Sequence, residues 1–409
     1  MSLVSSMFTG VSGLKGNSQA LQVIGDNIAN VNTVGFKSSD VVFGDILSTV
    51  LANGSTTMQF GRGTSLNGVA QSFEQGALEN TSNATDVAVD GSGFFIVNDG
   101  TGNFYTRGGQ FRMNNAGELA DPNGNILQGY AITSGTTSST LTNVDLAGVQ
   151  SAPTATTAFT LGANLDASAT SGTTTFTSPI TIYNSIGDED VLSLTFTKGS
   201  GNSWGWNATS SLLSSSASLA SGTVSFDTSG ALTSPTTDPT ITLDYTTASA
   251  PAASQTITWD LVDSSGATNG DLTGYAAASN NNSVVQDGFS TGTLIGLSVD
   301  SDGIIAGLFN NGQTQQVYQI GLADFLSPEG LNRVGQNLFS VSAESGQPVL
   351  GAANTGGFGS ILGSSLELSN VDLAQEFVTL IQTQQAFQAA SRIITTVDDL
   401  LTEAVNLKR

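Results

Sequence analysis

The chain has 409 residues, 38% hydrophobic and only 11% charged, with 48 glycines and a formal net charge of −23; it is too apolar to be disordered and too glycine-rich to be all-helical, and its length allows two or three domains. Only Lys198 is basic between Arg112 and Arg333, so no cationic stripe neutralises phosphates and nucleic-acid binding is not expected. Cysteine and histidine are absent, which removes disulfides, thiolate nucleophiles, Ser-His-Asp triads and His-based metal sites.

The first six residues carry no basic n-region, and Gly10, Gly13, Lys15 and Gly16 interrupt any apolar run, so a cleavable secretory signal is not expected at this start. No stretch of about 18 apolar residues is available to span a bilayer, and membrane insertion is not expected. Residues 3–31 read as one helix carrying a seven-residue repeat, Met7, Leu14, Leu21 and Ile28, reinforced by Val4, Val11, Ile24 and Val31. Four glycines within it cost up to about 1 kcal/mol each, so the helix should be stable only when packed. Asn30 to Gly35 supplies its turn and C-cap, and residues 36–70 read as an extended connector.

Strand signals follow at Val87 and Val89, a turn at Asp90-Gly91-Ser92-Gly93, and Phe94-Phe95-Ile96-Val97. A hairpin pattern then runs from Phe104-Tyr105-Thr106 to Phe111-Arg112-Met113, closed by Asn114-Asn115-Ala116-Gly117. Residues 146–284 shift to Ser, Thr, Ala and Gly with sparse strands, as in an inserted β domain with Ser/Thr-rich faces. The earlier style returns from 285, and Gly351 to Gly363 is a glycine-rich approach to the last helix. There Ser369-Asn370-Val371-Asp372 reads as an N-capping box, and a second seven-residue repeat begins: Leu373, Leu380, Phe387, Ile394 and Leu401, widened by Phe377, Val397, Ala404 and Val405. Lys408 and Arg409 suit a helix C-terminus.

The expected fold is mixed α and β. The N- and C-terminal helices (1–32 with 370–409) form a coiled-coil-like domain, with connectors at 33–70 and 350–369. Between them lie two nested, mainly-β domains: 71–145 with 285–349, and the inserted outer block 146–284. Matched stripes at both ends point to self-assembly, because neither has a partner close by in sequence.

No cluster reads as catalytic, metal-binding or cofactor-binding. Asp300-Ser301-Asp302-Gly303 begins like a calcium loop, but Ile304 stands where a third oxygen ligand belongs, so a β-turn is expected. Gly187-Asp188-Glu189-Asp190 reads as a solvated turn, and Trp204 and Trp206 as one face of a small core. Asn53-Gly54-Ser55, Asn80-Thr81-Ser82 and Asn83-Ala84-Thr85 are glycosylation sequons by pattern only.

Ser12-Gly13-Leu14, Ile28-Ala29-Asn30-Val31-Asn32-Thr33-Val34-Gly35-Phe36-Lys37, and Ser369-Asn370-Val371-Asp372-Leu373-Ala374-Gln375-Glu376-Phe377-Val378 through Ile393-Ile394-Thr395-Thr396-Val397-Asp398 closely resemble the two ends of the bacterial flagellar axial proteins. That family contains rod, hook and hook–filament junction subunits. Phe94-Phe95-Ile96-Val97, Tyr105-Thr106-Arg107-Gly108-Gly109-Gln110-Phe111, Gly312-Gln313-Thr314-Gln315 and the ending Val405 to Arg409 are similar to its hook branch. The resemblance covers both termini and the flanking β-segments; 146–284 is assigned by position.

It implies a structural subunit rather than an enzyme: a homo-polymer of many copies forming a flexible tube in the extracellular hook. Partners so implied are a distal rod protein, a hook–filament junction protein, the hook cap and the flagellar type III export apparatus, with Phe43 and Leu47 as the export signal. Two departures stand out. Gln384-Gln385-Ala386-Phe387-Gln388-Ala389-Ala390 lacks an arginine and an asparagine usual in the family. The connector 48–63 is longer than in many hook relatives, a feature linked in resembling rod proteins with a stiff tube. A distal rod subunit is the alternative within the family, opposed by the inserted block. A secreted acidic β-rich adhesin or enzyme is the alternative outside it, opposed by the missing histidines and the helical ends.

Overall fold

Two helices bracket a chain that is otherwise strand and turn. The computed structural model describes residues 3–406 apart from 48, 54, 55, 214–218, 249 and 264–266. Lys408, Arg409, the Gly54-Ser55 part of one sequon and the side chains of Val4 and Ala404 lie outside the described residues. Helix α1 spans Leu3–Ala29 and helix α2 spans Leu373–Asn406.

Helix α2 has neither glycine nor proline, and its N-cap is Asp372, whose Oδ1 accepts from Ala374 N at 2.8 Å and Gln375 N at 3.2 Å. Ser369 is therefore not the cap: the acid closest to the first free N–H groups satisfies them, and Asn370 is engaged elsewhere. Helix α1 closes with Thr33 N donating to Asn30 O at 3.0 Å. Gly35 follows at φ +68°, where an added Cβ would stand 2.5 Å from Gly108 N, so only glycine fits.

The expected extended connector is instead a folded-back ribbon. Ser39–Asp45 pairs antiparallel with Thr64–Gln71, and Thr49–Asn53 with Thr56–Phe60. Strand-forming valines and threonines find partners within the connector itself, the second pair lying within 48–63.

The described residues divide into two compact units. The first comprises residues 1–148, 297–307 and 315–409. Its central strand, Phe94–Asn98, is buried on both faces, flanked by Asn103–Thr106 on one edge and by Ile126–Thr133 and Leu322–Asp324 on the other. The turn at 114–117 does close a hairpin, but between Arg112–Met113 and Leu119–Ala120, because Asn103–Thr106 is already paired with the central strand. Val87–Asp90 pairs with Ser360–Gly363, and Leu78–Asn80 with Ser365–Glu367, joining segments far apart in the chain. The core is aromatic, with Tyr105 edge-on to Phe325 at 4.8 Å and Phe94 to Phe325 at 5.9 Å. Asp300 does form a turn: its Oδ1 accepts from Asp302 N at 3.0 Å and Ile304 N at 2.8 Å.

The second unit comprises residues 149–296 and 308–314. Five strands from Thr175–Tyr183 to Leu232–Ser234 form an antiparallel meander. A second sheet is built on Ala158–Asn164, parallel to Gln255–Trp259 and antiparallel to Asn280–Gln286. Leu161, Leu194, Trp204, Trp206 and Trp259 share one core across the two sheets, a sandwich arrangement. Burial alternates strictly along much of Glu189–Lys198, and the outward positions carry the Ser/Thr surface, as where Thr177 and Thr195 hydroxyls meet at 3.2 Å.

Asp190 departs from the sequence reading. Asp188 and Glu189 are exposed, but Asp190 is fully buried. It accepts from Ser210 Oγ at 2.5 Å, Tyr245 Oη at 2.7 Å, Ser211 Oγ at 2.9 Å and Leu212 N at 3.1 Å. Burial pushes the Asp190 carboxyl up, yet the donors outweigh it and hold it below the ordinary carboxylate value. A depressed folded-state pKa stabilises above the unfolded value and is lost as pH falls through the folded one. All three tryptophans of the chain lie in this unit, so their fluorescence reports on it selectively. Asp190→Asn should destabilise the unit by about 2 kcal/mol at neutral pH. The difference from the parent should shrink on acidification, as read by tryptophan-monitored unfolding.

Candidate assembly surface

Eight residues after α1 ends and six before α2 begins, two opposite charges meet in the interior. Lys37 Nζ lies 2.7 Å from Glu367 Oε1 and donates to Glu74 O at 2.6 Å. Arg107 Nη1 lies 3.2 Å from Glu367 Oε2, while its Nη2 donates to Gly91 O at 2.7 Å. Gly76 N donates to Glu367 Oε1 at 2.9 Å, and Gly35 N to Glu367 O at 2.8 Å. All three side chains are buried. Burial lowers the pKa of both Lys37 and Arg107, and the Glu367 carboxylate opposes that shift. Lys37 and Arg107 both stand in the family motifs read from the sequence; Glu367 does not, although an acid between Leu366 and Leu368 is an available signal.

The other motif residues surround this cluster. Phe36 is buried beneath the Arg333 guanidinium, 5.2 Å from its ring centroid. Asn370 Oδ1 accepts from Ser38 N at 2.7 Å, and its Nδ2 donates to Ser72 O at 3.0 Å. Thr33 Oγ1 donates to Asn30 Oδ1 at 3.1 Å, Ser369 Oγ accepts from Val371 N at 3.4 Å, and Asn32 is exposed. Among the described residues no group of His, Cys, Asp or Glu is placed to hold a metal ion.

From these roots the helices run antiparallel along each other. Asn27 Nδ2 donates to Glu376 Oε1 at 2.8 Å, and at the far end a Cβ added to Gly10 would stand 3.1 Å from Ile394 Cγ1. Gly13 faces the Ala390 methyl. The most buried positions of α2 are Thr383, Ala390 and Val397, a second seven-residue ladder three residues after Leu380, Phe387 and Ile394. These three and Leu401 are half-buried beside it, while Leu373 and Phe377 are exposed. On α1, Ile24 is buried, Met7, Leu14, Leu21 and Ile28 are half-buried, and Val11 is exposed. Closest approach is thus made by small residues, including glycines whose only visible effect in sequence was a helix-propensity cost. Phe43 packs near Gly16, and Leu47 is 87% exposed.

Four family descriptions match successive stretches. They are the flagella basal body rod protein over 7–37, the flagellar hook protein FlgE/F/G D1 domain over 88–173, the flagellar basal body protein FlaE D2 domain over 157–289, and the flagellar basal body rod FlgEFG protein C-terminal region over 363–407. The flagellar hook protein FlgE of Borreliella burgdorferi is 32% identical over 445 residues, covering 99% of this chain and 100% of that protein. The FlgE of Escherichia coli K12 is 32% identical over 416 residues, covering 97% and 98%. A crystal structure of Helicobacter pylori flagellar hook protein FlgE2 aligns at TM-score 0.44 and 15% identity over 69% of this chain and 98% of that one. On its full-length relatives, the chain belongs to the flagellar hook protein family. Its function is that of a hook subunit, a structural part of the bacterial flagellum, and the hook reading prevails over the rod alternative.

Glu367→Gln leaves two buried cations with one neutral acceptor between them. It should cost about 3–5 kcal/mol, seen as an earlier far-ultraviolet melting transition with the tryptophan transition unmoved. A parent-like melt would show that the charge cluster does not hold the first unit together.

Proposed function

We propose that many copies of this chain stack helically into a flexible tube, a universal joint that passes torque from rod to filament and encloses the export channel. In this reading residues 1–32 with 370–409 form an inner coiled-coil-like layer, joined through connectors 33–70 and 350–369 to a first β domain, 71–145 with 285–349. Residues 146–284 form the inserted outer domain. The tube meets a distal rod protein at one end and a hook–filament junction protein at the other, grows beneath a hook cap outside the cell, and receives subunits from the flagellar type III export apparatus. Phe43 and Leu47 serve as the export signal while the chain is unfolded.

The observation that carries this reading is the apolar surface left outside the closed helix pair. Phe8 is 62% exposed, Phe377 49%, Ile381 53% and Leu400 55%. Burying one such side chain is worth about 1.5–3 kcal/mol, and identical copies bring identical stripes. Ile381→Asp and Phe377→Asp alter exposed positions, so the monomer should keep its circular dichroism and melting temperature. Each should raise the critical concentration for polymerisation at least about tenfold, because an unpaired carboxylate in a closing interface costs several kcal/mol. Tubes of parent appearance from both variants, in electron micrographs at parent concentrations, would remove this surface from the interface.

A further inference from the structure

Eight of the ten basic residues lie among the described residues. Lys37, Arg107 and Lys198 are buried, and Arg112 and Arg333 are paired with Asp86 and Asp26. Lys15, Arg62 and Arg392 are exposed and make no ion pair among the described residues. Two of these three, Lys15 and Arg62, line one cleft of about 520 Å³ between α1 and the connector ribbon, with Phe8, Val11 and Ile46 as its apolar walls. A basic, apolar cleft in a chain of net charge −23 fits an acidic, apolar partner.

Helix α2 ends in such a segment. Asp398, Asp399 and Glu403 are exposed and form no ion pair among the described residues, and Leu400 is 55% exposed beside them. Asp399 and Glu403 are four residues apart and Leu400 and Glu403 three, so all share one helix face. The two charged faces cannot meet within one copy. Gly13 faces Ala390, and Lys15, two residues on, is turned about 200° from that contact. Val397 is buried, and Asp399 is turned away from it by the same angle.

Resting on the polymer reading above, we infer that the cleft of Lys15 and Arg62 is a socket for the acidic last turns of α2 from a second copy. The contact is electrostatic at its rim and apolar at its floor, so assembly weakens with salt.

The test measures critical concentration by sedimentation at low and high salt, for full chains whose folding is checked by circular dichroism. Lys15→Glu with Arg62→Glu, and separately Asp399→Lys with Glu403→Lys, should each raise it about tenfold at low salt. A mixture of the two variants, and the chain carrying all four changes, should return it toward the parent value. Parent-like assembly of the Lys15→Glu, Arg62→Glu chain, with parent tubes forming normally, overturns the socket and leaves the polymer reading standing. Impaired variants that fail to rescue each other overturn α2 as the occupant. A parent that never polymerises removes the polymer reading and this inference with it.

Discussion

A single buried carboxylate sets the frame on which both helices stand. Glu367 draws Lys37, Arg107 and the backbone of Gly35 and Gly76 to one point, and so fixes where α1 leaves the β structure relative to where α2 begins. A buried ion pair adds little net stability over an apolar substitute, but once built it cannot lose a member cheaply. Its contribution here is geometric. Segments 330 residues apart are locked in register, and the neighbouring Asn370 bonds to Ser38 and Ser72 prevent rotation about that lock.

The helix pair follows from the roots. With its C-terminal end clasped by Asn27 and Glu376, α1 meets α2 through Gly13 and Gly10, where the absence of a side chain permits close backbone approach. That choice has a consequence for assembly. Small residues close the pair, so many of the large apolar side chains flank the seam or face outward, where only another molecule can cover them. A pair closed by its leucines would have satisfied itself.

The second unit obeys a different economy. Its core is built from strands such as Glu189–Lys198, whose burial alternates, and from three tryptophans, with short hydroxyl side chains outside. Among its buried polar groups is the Asp190 carboxylate, tolerated because the hydroxyls of Ser210, Ser211 and Tyr245 all donate to it.

Much of this architecture was legible in the residues. The seven-residue repeats located both helices, Gly35 and the asparagines before it located the end of α1, and the lack of histidine and cysteine disposed of whole classes of chemistry. Asp300 to Gly303 read correctly as a turn because its ligand pattern breaks at Ile304. These are local properties, written within a few residues. Which helix face closes, which strand pairs with Asn103–Thr106, and that Glu367 and Asp190 are buried were decided only in three dimensions. Periodicity reports where apolar bulk lies, not where two backbones come closest, and a glycine reads as weakness until its neighbour is known. The partners of Glu367 lie 260 to 330 positions away and those of Asp190 20 to 55, and no local pattern records which distant residue will meet a charge.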